Sequence, residues 1–534
     1  MNIPYKKLIL LTLCAFIIRA AVFFFYVQHE QRYCQPDTPD YHISGISLCL
    51  GKGMVRYGTP FPFFWRAPGY PWYLSHFFRW HGLTNLGIDA NTATHKSALW
   101  VQIALASTVP AILFVLALLL TGSFFIAWLT AGITTIHPGF VLASTFLLTE
   151  GITLIFFFLF LIFFYKSFKA LGEPTFGNPT FGNQTLGESP SDKSPSSELT
   201  SNKPILGKQT HNKQTIGNPR TLLPHHWLLN AILAGLSLAL ATWMRPMGEY
   251  VAIVASVIIL LFANSSFRKK VLLILVLLTT FFAVVSPWYV RNYHLTHKIF
   301  FCPMMGAYLN AFIAPRVLRD VQHRPLDDTF RELQQKAGIE IQKDYIKSLG
   351  TGLSVVPESI PLRVALPIIW QYPGYAAYEW MKEVMKSTFD LYSWQLVALV
   401  KNCFKSDPLE ESLREKTAQC LYKDSLPGTP LPLFVRIIAW LEAIYALLLW
   451  IGIFFGFWYF LLRTALNNYA VPERLKSLGG LWLKTGFMIG SLLFMTGGFG
   501  YARLRLPVEP LLIILALTAW LEIINLYQQR KEAL

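Results

Sequence analysis

The stretch Asp37-Thr38-Pro39-Asp40-Tyr41 follows directly on an apolar run long enough to span a bilayer, so its two carboxylates fall at the depth of lipid headgroups. A carboxylate held there is placed to act as a base toward a hydroxyl brought to the membrane surface. The competing reading is structural: Asp37 or Asp40 caps a helix that starts near Tyr41, a frequent role of Asp. Spacing alone leans to the cap.

Arginines add a second chemistry. Arg66, Arg245, Arg291, Arg503 and Arg505 lie at the ends of apolar runs, or in the loops, on the same side as Asp37. Positive charge on that side runs against the usual orientation bias, so each arginine needs another reason to be there. An anionic ligand such as a lipid phosphate supplies one, because guanidinium binds phosphate bidentately and stays charged in a partly dry site. Snorkelling to phospholipid headgroups, or pairing with a local acid such as Glu509 beside Arg505, is the alternative. Glu150 opens an apolar run after His137-Pro138. It is either a functional group at a helix mouth or a charge complementing the helix dipole.

These residues need a scaffold, and composition says which kind. Of 534 residues, 53% are hydrophobic and only 14% charged, against about 25% charged in soluble domains. Mean hydropathy is +0.41. The formal net charge of +16 does not indicate nucleic acid, since much of it sits in short loops between apolar runs. Those runs cover residues 8–26, 98–120, 124–136, 151–165, 227–244, 250–263, 271–288, 435–462, 481–500 and 511–526. An all-α polytopic membrane protein of roughly ten transmembrane helices follows. Lys6 and Lys7 before the first run resemble a signal peptide, but its length and the lack of a small-residue cleavage site favour a retained anchor.

Basic clusters at Lys6–Lys7, Lys166 and Lys169, Arg268–Lys270, Arg463, Arg474 and Lys476, and Arg530–Lys531 all share one side if both termini are cytoplasmic. That orientation expects a multi-pass protein of the cell's inner (plasma) membrane with two large extracytoplasmic loops, 29–97 and 291–432. The blocks are then 1–170 with four spans and the first loop, 171–224 a disordered cytoplasmic linker, 225–290 with three spans, 291–432 a small helical domain, and 433–534 with three spans. The linker is rich in Gly, Pro, Ser, Thr and Asn, and repeats PTFGN at Pro174 and Pro179. Its Asn183-Gln184-Thr185 sequon would face the cytoplasm. In the second loop, 328–337 and 375–389 have helical periodicity. Cys34, Cys49, Cys302, Cys403 and Cys420 fall in the two loops, where Cys34–Cys49 and Cys403–Cys420 could pair; an odd number leaves connectivity open. No cofactor is assigned. A divalent metal at Asp37, Asp40, His42 or Glu150 is conceivable, though such residues in a loop are commoner without one.

At these residues the sequence resembles the GT-C class of membrane glycosyltransferases, in the branch containing protein O-mannosyltransferases and lipid A aminoarabinose transferases. Asp37 with Tyr41 matches the acid and aromatic of that family's first outer loop, with Thr38 where those members carry a second acid. Arg66-Ala67-Pro68-Gly69-Tyr70-Pro71 is similar to its basic, Pro-rich turn. Arg245-Pro246, the stretch from Ser286 to Tyr293, and Arg503-Leu504-Arg505-Leu506-Pro507-Val508-Glu509-Pro510 also resemble family patterns.

The resemblance implies inverting transfer of a sugar from a polyprenyl-phosphate donor to a lipid, glycan or protein acceptor at the outer face. Asp37 would be the base. Arg66 and Arg245, with Arg505, would hold the leaving lipid phosphate, Asp40, Glu150, Arg291 and Arg503 would contact substrate, and Tyr41 and Tyr70 would shape the sugar pocket. The partners expected are therefore donor, acceptor and bilayer. A transporter or flippase for a lipid or small solute is the alternative, but no repeat relates the two halves, as transporter folds tend to show.

Overall fold

The computed structural model describes residues 4–28, 33–35, 37–55, 62–82, 92–171, 226–349, 351, 353–393, 396, 433–462, 473–496 and 502–533. The expected linker, Cys403, Cys420 and Arg463 lie outside the described residues, as do the side chains of Arg474 and Lys476. In chain order the helices are α1 (Tyr5–Val22, continued by a wide turn Phe23–Val27), α2 (Thr38–Cys49), α3 (Gly69–Trp80), α4 (Thr92–Ala106), α5 (Val109–Thr121), α6 (Phe124–Ile136), α7 (Pro138–Thr145), α8 (Glu150–Ala170), α9 (His226–Met244), α10 (Gly248–Phe262) and α11 (Phe267–Thr296). There follow α12 (Met304–Tyr308), α13 (Ala314–Gln322), α14 (Leu326–Ser348), α15 (Ile360–Gln371), α16 (Pro373–Phe389), α17 (Leu433–Gly456), α18 (Glu473–Thr496) and α19 (Glu509–Ala533). Among the described residues the only β-pairing is an isolated bridge between Val55 and Pro62.

The chain is an all-α, multi-pass membrane protein. Among the described residues each of the ten apolar runs is essentially helical, as it must be where lipid offers backbone groups no partner. Seven helices among the described residues are long and apolar enough to cross a membrane, or eight with the bent pair α6–α7. The expected ten therefore includes α10, which is short, and α18, whose apolar part is short. The α6–α7 bend of 51° has a chemical cause. Pro138 has no N–H to continue the helix, and His137 Nδ1 accepts from the Gly139 N–H at 3.2 Å instead. Arg19, fully buried in α1, donates to the Thr135 carbonyl at 3.4 Å beside the break.

Burial runs opposite ways on different helices because lipid, not water, is the outer solvent. Helix α1 exposes Ile9, Leu10, Leu13, Ile17 and Phe25, while α8 is almost wholly buried at the centre. Helix α8 packs on α9, and α9 on α11. Small residues Ala231, Ala234 and Gly235 on α9 permit the close approach. Residues 328–337 and 375–389 are helical, as their periodicity predicts; α12 to α16 contribute two small cores, around Tyr308 and Val317 and around Leu318 and Leu333. Cys34 and Cys49 are not joined in a disulfide, which corrects the expected pairing; each packs against the cluster of Tyr33, Phe78 and Leu99.

A Cβ on Gly235 would sit 2.6 Å from the Leu277 carbonyl oxygen of α11, a backbone atom that cannot yield. Gly490 in α18 has open space around it. Gly235→Ala should cost about 1–3 kcal/mol, while Gly490→Ala should be neutral or gain up to about 1 kcal/mol from helix propensity. Thermal unfolding of both variants in detergent checks the contrast, and equal shifts would refute it.

Candidate functional site

Three local devices bring the loop residues to the membrane edge. Thr38 Oγ1 accepts from the Gln35 N–H at 2.8 Å and donates to the Leu147 carbonyl at 3.2 Å, while the Leu147 N–H reaches Tyr33 O at 2.9 Å. This ties the segment carrying Asp37 to the one leading into Glu150. Helix α2 lies tightly on α3, with Gly45 leaving room for Phe78 and Leu74. Gly69 opens α3 against the backbone of Trp243, where a Cβ would meet the carbonyl oxygen at 2.6 Å. Arg66 is thereby drawn toward the end of α9, where Arg245 follows Met244.

The result is a continuous chain of alternating charge. Arg66 donates from Nε to Asp40 Oδ2 at 2.9 Å and from Nη2 to Asp37 Oδ1 at 2.8 Å. Arg503, on the short turn Ala502–Arg505 before α19, donates to Asp37 Oδ2 at 2.6 Å. Its Nε also stands 3.8 Å from Glu150 Oε1, to which Arg245 Nη1 comes within 2.8 Å. Three carboxylates and three guanidiniums thus run Asp40–Arg66–Asp37–Arg503–Glu150–Arg245. Arg66 and Glu150 are buried, whereas Asp37, Asp40, Arg245 and Arg503 each keep about a fifth to a quarter of the side chain open.

Asp37 stands at the N-cap position of α2 but makes no capping hydrogen bond. Both its oxygens go to arginines, which answers the cap reading. Burial pushes its carboxyl up, but the charges of Arg66 and Arg503 outweigh that and hold it well below the usual carboxylate range. Burial opposes the charge on Arg66 and Arg503 too, yet their acid partners raise both above the ordinary guanidinium value. Tyr41 lies under Arg66, ring centre to Cζ 5.2 Å, and burial pushes its hydroxyl up to about 12.

Seven of the residues singled out in the sequence converge here: Asp37, Asp40, Tyr41, Arg66, Glu150, Arg245 and Arg503. Three do not. Tyr70 is fully buried, packs edge-on against Tyr41 at 5.2 Å and donates to Gln102 Oε1 at 2.8 Å, so it supports Tyr41 instead of lining the opening. Arg291 lies over Trp288 at 4.2 Å and donates to the Met54 carbonyl at 3.2 Å. Arg505 is buried with Glu509, Nε to Oε2 2.6 Å, and donates to the carbonyls of Ser387 at 3.3 Å, Asp390 at 3.1 Å and Thr388. Its local-acid reading is the one the geometry bears out.

Gln102 was not anticipated. Its Nε2 donates to Ser144 O at 3.0 Å and Phe146 O at 2.7 Å while its carbonyl holds Tyr70, so one side chain braces both the approach to Glu150 and the ring behind Tyr41. A lone amide within an apolar span was the available signal. Asp37, Asp40 and Glu150 each face a guanidinium, His42 turns to His95 at 2.7 Å, and no three His, Cys, Asp or Glu side chains converge among the described residues.

No protein-family profile matches the sequence, and no curated protein does. In solved structures the chain is similar to the apo oligosaccharyltransferase of Archaeoglobus fulgidus, with a TM-score of 0.46 and 13% identity over 99% of this chain and 52% of that one. It is also similar to oligosaccharyltransferase AglB from the same organism in complex with an inhibitory peptide and a dolichol-phosphate, with a TM-score of 0.43 and 12% identity over 100% of this chain and 52% of that one. Apo ArnT from Cupriavidus metallidurans gives a TM-score of 0.30 and 15% identity over 92% of this chain and 76% of that one. The chain spans about half the length of the two oligosaccharyltransferase chains.

Proposed function

We propose that this chain is a membrane glycosyltransferase that moves a sugar from a polyprenyl-phosphate donor to a lipid, glycan or protein acceptor at the outer face of the membrane, with inversion. The observation that supports it most is the part-open chain of charge in which one carboxylate, Asp37, lies between two arginines at the edge of the spans. Base and phosphate ligands are then neighbours, as displacement at a single carbon requires. The charges come from loops and span ends, whereas alternating access calls for a site near mid-membrane; this weighs against the transporter alternative.

In this reading Asp37 takes the proton of the acceptor hydroxyl as its oxygen attacks the anomeric carbon. The bond from that carbon to the phosphate oxygen breaks, and its electron pair leaves with the polyprenyl phosphate. That group departs as an anion and needs no proton, so a single base and cationic stabilisation suffice. Arg245 and Arg503, the more open arginines, meet the phosphate, and Arg66 orients Asp37 and Asp40. Because the three acids offset the three arginines, the phosphate competes with carboxylates for guanidinium. Drawing Arg503 away from Asp37 strengthens Asp37 as a base at the moment the donor is in place.

Asp37→Asn keeps the shape and removes the base, so transfer should fall by about 10²–10⁴-fold. Mass spectrometry of membrane lipids and envelope glycans should show the strain accumulating a polyprenyl-phosphate sugar and losing one sugar from a surface product. Wild-type levels of both in a folded variant would remove Asp37 from its role.

A pH profile tests the clamp. A carboxylate depressed by its partners stays ionised as pH falls to its lowered pKa, so wild-type kcat/KM should show no acid limb from Asp37 above the ordinary Asp value of about 3.9. Arg503→Gln removes one of the two charges that lower Asp37, and the acid limb should move to higher pH whatever happens to the maximal rate. An unchanged profile would mean that Asp37 does not titrate in the reaction.

A further inference from the structure

Helix α16 has the wrong polarity for a helix facing water. Its acids, Glu379 and Glu383, are buried and turn inward to Arg319, at 3.3 Å, and Arg316 of α13. Ser387 and Thr388 share that inner face. The outward face instead carries Tyr375, Tyr378, Met381, Met385 and Phe389, all exposed. Its exposed charges are Lys382 and Lys386 alone, and Lys382, half exposed, also donates to Glu379 Oε1 at 3.1 Å. Steps of three or four residues hold the five apolar side chains on one stripe, about 21 Å long at 1.5 Å per residue. An exposed apolar surface of that extent marks a site of interaction.

What covers it follows from where the stripe leads. The ring of Phe389 lies 4.7 Å from that of Trp450, well inside the apolar run of α17. Trp380 donates to the Phe494 carbonyl of α18 at 3.1 Å, with the two rings 5.9 Å apart. Helix α17 exposes Trp440, Leu447 and Phe454, a surface that only lipid would solvate. Through Phe389 the stripe is therefore continuous with the lipid-facing side of α17, while Trp380 on the inner side of α16 fastens the helix to α18. Near the end of α15, Trp370 is 76% exposed, and Tyr378 in α16 is 62% exposed. Trp and Tyr gather at the boundary of hydrocarbon and headgroups, and lysine stems lie along apolar surface with the amine at the phosphates. A protein partner suits this face less well, because lysine is depleted from protein interfaces.

We propose that α16 lies within the leaflet on the loop side of the membrane, with the stripe among acyl chains and Lys382 and Lys386 at the headgroups of anionic lipids. The second loop is then a domain partly sunk in the bilayer. This holds whether or not the chain transfers sugar.

Photo-crosslinking of the full chain in nanodiscs of phosphatidylethanolamine and phosphatidylglycerol decides the matter. Tyr378→p-benzoylphenylalanine and, separately, Met385→p-benzoylphenylalanine place a group that abstracts C–H hydrogens on the stripe. Lys336→p-benzoylphenylalanine, at an exposed position on α14, is the control. Irradiation should give phospholipid adducts at 378 and 385 and none at 336, read by peptide mass spectrometry. The phosphatidylglycerol share of adducts should drop roughly fivefold for each lysine lost in Lys382→Gln and Lys386→Gln. Cross-links to a second copy or to another part of the chain would mean that protein covers the face, and no adduct would mean water; either overturns the proposal. Lipid adducts with an unchanged phosphatidylglycerol share would overturn its headgroup part.

Discussion

An ionised side chain at the edge of a lipid-facing bundle must find its opposite, because neither hydrocarbon nor the protein interior repays lost hydration. The six charges from Asp40 to Arg245 meet that demand by sharing one another, and the surrounding architecture follows from it. They come from the N-terminus of α2, the turn before α3, the start of α8, the end of α9 and the turn before α19. Five segments far apart in sequence must therefore end at one place. Close contacts at Gly45 and Gly69, and the triple hydrogen bonding of Gln102, are the steric and polar means by which they do.

A second acid–arginine pair shows what such chemistry looks like when it serves structure alone. Arg505 and Glu509 are 2% and 0% exposed; Arg505 Nη1 goes to carbonyls at the end of α16, and Glu509 accepts from Tyr392 and Tyr445. In the Asp37 chain the two most open arginines, Arg245 and Arg503, are 23% and 22% exposed. Exposure of the charged ends, not the presence of a pair, separates a candidate site from a fastening.

The fold was largely readable because the membrane imposes it: apolar runs must be helical, and all ten are so among the described residues. Counting spans was harder, since the chain bends at Pro138 just beyond one run and α10 is short, and hydrophobicity records neither where a helix breaks nor how it tilts. For the site, position along the chain tells at which end of a span a residue lies but not which neighbour it meets sideways. Arg503 and Arg505 are two residues apart on one tight turn, and they part company: one reaches Asp37, the other Glu509. Arg291 shares their end of the bundle but stacks on Trp288. Tyr70 belongs to the turn that resembles a family motif, yet its hydroxyl turns inward to an amide that no motif announced. The Cys34–Cys49 pairing failed for a related reason: both thiols find apolar packing, which sequence separation does not reveal.

Charge balance also constrains how the proposed reaction can proceed. A carboxylate gripped by two guanidiniums is surely ionised, but it accepts a proton poorly, since the depression that keeps it charged weakens it as a base by the same free energy. Full grip and good base strength exclude each other. An anionic donor resolves the conflict, because its phosphate and Asp37 compete for Arg503, and every hydrogen bond the phosphate gains there is one the carboxylate gives up. Deprotonation of the acceptor is then coupled to occupancy of the donor site. With the donor absent, Asp37 stays clamped and an acceptor hydroxyl, or water, keeps its proton. A site with one strong base permanently free would lack that safeguard. Neutralising the arginines before the ligand arrives therefore both lets the charges lie at the membrane edge and makes the base conditional on the donor.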